Sequence, residues 1–164
     1  MVPSVFMKLV NIYCSNFYGS SLWNLYSKDV DRIFKSWNIT VRNVFQVPSK
    51  THRYLIESIS DFLHPKVMLT SRYVKFVGSL SSSLKSSIRF LVQFVKDDSR
   101  TLTGKTLSRI SADTNIEKGS LTVSSVKKYM VYFPVPADQQ WRCDLLVELL
   151  HEREGILEIK KLFL

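Results

Sequence analysis

The 164-residue chain has little cysteine and little histidine, two and three residues respectively. Cys14 and Cys143 lie far apart with no second thiol beside either, which excludes a disulfide framework and a thiolate zinc site. They read as reduced core residues. His52, His64 and His151 are equally scattered and offer no metal-ligand spacing, so neither a metal nor a cofactor is expected. Five glycines and five prolines are too few for a collagen-like or low-complexity chain. No apolar run approaches the roughly 20 residues that cross a bilayer. The start lacks the basic-then-apolar order of a signal peptide. The expectation is a soluble intracellular protein, nuclear or cytoplasmic, with no membrane partner. Acidic residues are scarce too, 14 Asp and Glu against 23 Lys and Arg, for a net charge of +9.

What is present is globular. A content of 45% hydrophobic and 12% aromatic residues supplies a core for one domain, or one and a half. The positive charge is uneven. Residues 28–109 hold 15 Lys and Arg against 6 Asp and Glu, a net of +9, whereas residues 110–164 come to −1 and residues 1–27 to +1. Basic character of this kind finds its commonest partner in a phosphate backbone. A merely solvated basic surface is the alternative.

The organisation reads as helices joined by tight turns. Residues 5–18 carry an apolar face at helical spacing, broken by Gly19 and Ser20. Ser27 is placed to cap the next helix, and Asp29 and Asp31 suit the positive end of its dipole. Val30, Ile33, Phe34, Trp37, Val41, Val44 and Phe45 then recur at i, i+3, i+4, i+7, i+11, i+14 and i+15, the clearest amphipathic pattern in the chain. Pro48 disfavours helical geometry at Val47, so this helix ends near Gln46. Ser49 can cap a further helix through Leu63, and Pro65 suits the first turn of a third. SLSSSLKSS, residues 79–87, reads as a serine-rich linker or helix lead-in. Residues 88–95 read as a buried helix. DDSRTLTGKT reads as a loop ending in a cap before a short helix at Leu107 and Ile110, and KKYMVYFPVP as an extended run. Asp138 caps a helix that Gly155 stops, with Trp141, Leu145 and Leu149 facing inward. ILEIKKLFL is a short edge strand or a plain chain end. The fold class is all-α: an orthogonal bundle of about six or seven helices, with residues 1–78 as one domain, 79–87 as linker and 88–164 packing on the first.

Several motifs suggest chemistry. GKT at 104–106 resembles the end of a phosphate-binding loop, yet the full pattern needs a glycine where Ser99 stands. Asp97 and Asp98 resemble the paired aspartates of two-metal polymerases, but Val95 stands where an aromatic residue is needed and no third carboxylate strand is visible. Two acids ending a helix is the reading preferred. Leu146, Leu149 and Leu150 fit a partner-helix pattern that any amphipathic helix produces. Ser125 and Lys128 match a serine acylase signature without its companions. Asn38 sits in a glycosylation triplet inside the strongest helix. That leaves Arg42, Lys50 and Arg53 around the Pro48 turn, with Arg72 and Lys75 on the next helix, as candidates to grip phosphates without reading bases. Tyr54 and Tyr73 could stack on bases, but their spacing suits core positions.

YGSSLWNLYSKDVDRIFKSWNITVRNVFQVPSKTHRYLIE, residues 18–57, resembles the region that follows the polymerase palm in reverse transcriptases of non-LTR retrotransposons, jockey-like elements above all. The resemblance rests on Tyr18, Gly19, Trp23, Trp37, Val41, Arg42, Pro48, Thr51 and His52 in order and spacing. WRCDLLVELL, from Trp141, is similar to the final helix of such chains. The resemblance implies the thumb and post-thumb part of an RNA-directed DNA polymerase. Fingers, palm, the aromatic-x-Asp-Asp motif, an endonuclease domain and a cysteine-histidine knuckle are missing, so no catalytic residue carries over and the chain by itself is not expected to be an enzyme. The expected partners are DNA, RNA or an RNA/DNA hybrid through Arg42, Lys50, Arg53, Arg72 and Lys75, with the upstream polymerase domain as a second partner. The rivals are a helical protein-interaction module and an inert remnant of a retroelement.

Overall fold

The computed structural model describes residues 3–14, 16–51 and 63–130, with Leu55 and Glu148 as isolated positions. Its described secondary structure is all helical, as the periodicity implies: α1 (Pro3–Cys14), α2 (Lys28–Phe45), α3 (Pro65–Ser81), α4 (Ser86–Asp97), α5 (Leu102–Thr114) and α6 (Val123–Tyr129), with 3-10 turns at Ser20–Leu22 and Lys118–Ser120. There is no strand among the described residues. Cys143, the acidic helix beginning at Asp138, the Leu146-Leu150 motif and the proposed C-terminal edge strand lie outside them, although Glu148 itself is helical. The chain divides into two compact units, one comprising Met1–Asn16, Ile33–His64 and Phe133–Leu164, the other Phe17–Arg32 and Pro65–Tyr132.

In the first unit Met7 and Val10, three apart on α1, meet Trp37, Val41 and Phe45, four apart on α2. Met7 and Val41 are fully buried, and Val44 and Val47 close the edge of the cluster. Burial of this kind contributes about 1.5–3 kcal/mol per large side chain. α1 stops at Cys14 rather than running to residue 18. Phe17 belongs to the second unit, where its ring meets Trp23 edge-on at 6.1 Å, so it is not available to extend a helix of the first.

α2 begins as its sequence requires. Ser27 Oγ accepts from the Val30 amide at 3.3 Å, and Asp29 and Asp31 occupy the first turn. It ends in a Schellman motif. Gln46 turns left-handed at φ 54°, its amide reaching Asn43 O, and the Val47 amide returns to Arg42 O at 3.0 Å. Val47 then packs on the cluster that holds Val41, the hydrophobic contact such motifs use. Asn38 is buried inside α2.

The second unit is built on α3, against which α4, α6 and the Ser20–Leu22 turn all pack. Val67, Leu69, Tyr73, Val74 and Val77 are buried along with Thr70 and Ser71, so this helix is enclosed on most sides. Residues 79–87 are not a free linker: 79–81 finish α3, 82–85 turn, and 86–87 start α4. Their hydroxyls bond to the preceding turn, Ser81 Oγ to Val77 O at 2.9 Å and Ser82 Oγ to Gly78 O at 3.2 Å. KKYMVYFPVP is also corrected at its start, because Lys127 to Tyr129 close α6. A capping box between Thr122 and Ser125 starts that short helix early enough to include them.

Candidate nucleic-acid interface

Charge divides between the units much as it does along the chain. The second unit holds fourteen Lys and Arg against six Asp and Glu, a net of +8, and the first unit nine against eight, a net of +1. Contact in space gathers the basic residues of 65–130 and leaves the Pro48 corner in nearly neutral company.

Three of the second unit's acids have cationic partners. Asp29 pairs with Arg32 at 3.1 Å across an exposed turn. Asp113 accepts from Lys66 Nζ at 3.1 Å and from the Tyr26 hydroxyl at 3.0 Å. Arg109 stands 5.1 Å from the Tyr26 ring centre and Lys66 5.7 Å, so the ring carries two cations and its hydroxyl one carboxylate. Burial first, and then the Asp113 charge, push the Tyr26 hydroxyl well above its ordinary pKa. Asp98 accepts from the Arg100 amide at 2.8 Å and from its guanidinium at 3.1 and 3.2 Å. These bonds to Arg100 hold its carboxyl below the usual range, with Lys105 adding to the effect.

The two carboxylates at the end of α4 are thus separately engaged, since Asp97 accepts from Gln93 at 2.8 Å. No cluster of three His, Cys, Asp or Glu that could hold a metal exists among the described residues. GKT is helical rather than a loop, with Gly104, Lys105 and Thr106 in the first turns of α5. The glycine has a packing reason: a Cβ at 104 would collide with the Asp98 carbonyl. Thr101 locks the same corner, accepting from the Gly104 amide at 3.0 Å while its hydroxyl lies 2.7 Å from Val95 O and 2.8 Å from Asp98 O. Ser125, half of the apparent acylase signature, is engaged in the α6 capping box.

The predicted phosphate contacts fall in both units. Arg42, on the last turn of α2, is half-buried, and its Nη2 donates to Thr51 O at 3.0 Å. Its Nε is buried and finds no hydrogen-bond partner among the described residues. The Thr51 amide bonds to Pro48 O at 2.9 Å, so the arginine pins the turn that presents exposed Lys50. Arg53 lies outside the described residues, as do His52 and Tyr54. Arg72 and Lys75 are three apart on α3, the first half-buried and the second exposed. Tyr73, set aside above as core, is buried.

The residues that sequence reasoning missed are on α4. Lys85, Arg89 and Lys96 recur at i, i+4 and i+11 and make one cationic stripe, with Lys85 and Arg89 exposed. The periodicity was present in the sequence, but reading 79–87 as a serine-rich linker or helix lead-in set Lys85 apart from the rest of the stripe. Lys75, Lys85, Arg89 and Lys127 are exposed and take no ion pair among the described residues. Away from the stripe α4 also turns apolar groups outward: it has no buried residue, and Phe90, Leu91 and Phe94 are exposed. An apolar cleft of ≈ 300 Å³ opens along it, lined by Leu22, Tyr73, Phe76, Leu91, Val95 and Leu102 among others.

No known protein family, curated protein or solved structure matches the chain.

Proposed function

We propose that this chain is a noncatalytic fragment of a retrotransposon-encoded RNA-directed DNA polymerase that grips a nucleic-acid backbone. The observation that carries the reading is the net charge of +8 gathered in one compact unit. Exposed cations on neighbouring helices neutralise phosphates and release their counterions without regard to sequence. Lys75 on α3 and the α4 stripe of Lys85, Arg89 and Lys96 supply the second unit's contacts. Lys50 and Arg53 add to them from the first, and Arg72 stands beside Lys75. Arg42 contributes by holding the corner that carries Lys50. The polymerase identity rests on the resemblance across residues 18–57.

The test is fluorescence anisotropy with labelled single-stranded, duplex and hybrid oligonucleotides over about 50–200 mM salt. Steep weakening with salt and little sequence preference are expected, and affinity indifferent to salt overturns the reading. The exposed apolar side of α4 favours a second reading, a helical protein-interaction module. That reading predicts no oligonucleotide binding at low salt.

A further inference from the structure

We infer that the aromatic side of α4 receives unpaired bases, so that the nucleic acid held by the second unit is single-stranded where it crosses this helix. The inference rests on the reading of that unit as a phosphate-binding surface and names the form of nucleic acid it takes. Phe90 and Phe94 are 77% and 62% exposed, whereas Phe34, Trp37, Phe45 and Tyr73 are buried. Tyr13, Tyr18 and Tyr129 are also exposed among the described residues, but none of them stands beside a second exposed ring on one helix face with a cationic stripe on the same helix. They stand one turn apart on one face of α4, about 6 Å along the axis. That is close to twice the 3.4 Å step of stacked bases, room for a base between the rings.

The cationic stripe of Lys85, Arg89 and Lys96 runs about 140° around the same helix from the rings. A strand laid along α4 can therefore set phosphates on the stripe and bases on the rings, the pairing of charge and aromatic face that sequence-tolerant single-strand binders use. A duplex keeps the faces of its bases stacked against one another and cannot offer them to these rings. Between the stripe and the rings Gln93 and Asp97 present an amide and a carboxylate, exposed and hydrogen-bonded to each other. These polar groups can meet base edges, whereas a carboxylate beside the apolar face opposes an anionic lipid surface.

The experiment compares the full chain with Phe90→Leu/Phe94→Leu, which keeps apolar bulk and removes the π-faces, and with Phe90→Trp/Phe94→Trp, which restores them. Binding is measured by anisotropy to labelled oligo(dT) and to a labelled duplex, alongside flotation with phosphatidylserine-containing vesicles. Thermal melts check that each variant folds. The leucine pair is expected to lose about tenfold or more in oligo(dT) affinity with duplex affinity unchanged, and the tryptophan pair to keep it. Equal oligo(dT) affinity in wild type and the leucine pair overturns the stacking while leaving the phosphate reading in place, and so does an equal loss on both nucleic acids. No oligonucleotide binding by the wild type overturns both. Vesicle binding without oligonucleotide binding overturns both in favour of lipid.

Discussion

Tyr26 and Arg42 show how single side chains acquire their roles from neighbours distant in sequence. The Tyr26 hydroxyl is half-buried and donates to Asp113, 87 positions along the chain. Because its folded pKa is raised, its neutral form contributes stability that is present below pH ~10, the unfolded value, and lost as pH rises from there. Tyr26→Phe is therefore expected to flatten the fall in melting temperature above pH ~10, measured by circular dichroism across the alkaline range. Arg42→Ala removes the bond that holds Thr51 O and is expected to destabilise the corner by about 1–3 kcal/mol, read from a denaturant midpoint. Arg42→Lys is not expected to restore it, since a flexible ammonium does not reproduce the planar fork. Gly104→Ala is expected to destabilise more than an ordinary helical substitution, because the Asp98 carbonyl occupies the space of the new methyl group.

At the scale of elements, the ends of helices were the most legible features where a specific residue type is required. Ser27 before α2 and Pro65 opening α3 stand where the sequence puts them, since a cap or a fixed φ depends on one residue and its immediate neighbours. The end of α2 at Phe45 was readable from Pro48, but its mechanism was not, because nothing about glutamine announces a left-handed turn. At Gln46, glycine is expected to be neutral or stabilising by up to about 1 kcal/mol, and valine destabilising, by equilibrium unfolding. The start of α5 was misjudged and α6 was not foreseen for one reason: Thr101 and Thr122 cap helices that begin before the first buried apolar residue. Thr101→Ala and Thr122→Ala are each expected to cost about 1 kcal/mol. The Thr101 change should cost the more of the two, as that hydroxyl also ties α5 to the end of α4.

For the whole molecule, the decisive quantity is charge sorted by contact. If the second unit holds the phosphates, replacing Lys75, Lys85 and Arg89 together by alanine lowers the salt slope of single-strand binding by roughly 2. Alanine at Lys8 and Lys35, exposed lysines outside the proposed contacts, leaves it nearly unchanged, and anisotropy titrations at several salt concentrations separate the two. By itself the sequence determined the all-helical class, the capped and proline-marked helix ends, and the excess of basic residues in the middle. Each of these depends on composition, on local periodicity, or on a residue and its near neighbours. Only the tertiary structure decided that Phe17–Arg32 joins Pro65–Tyr132 in one unit and that the basic excess gathers there. It also decided that Arg42 is bound to the Thr51 carbonyl, and that α4 leaves Phe90 and Phe94 in solvent. The physical reason is that periodicity marks which side of a helix is apolar, while the surface that covers that side, or leaves it bare, comes from residues far away in the chain.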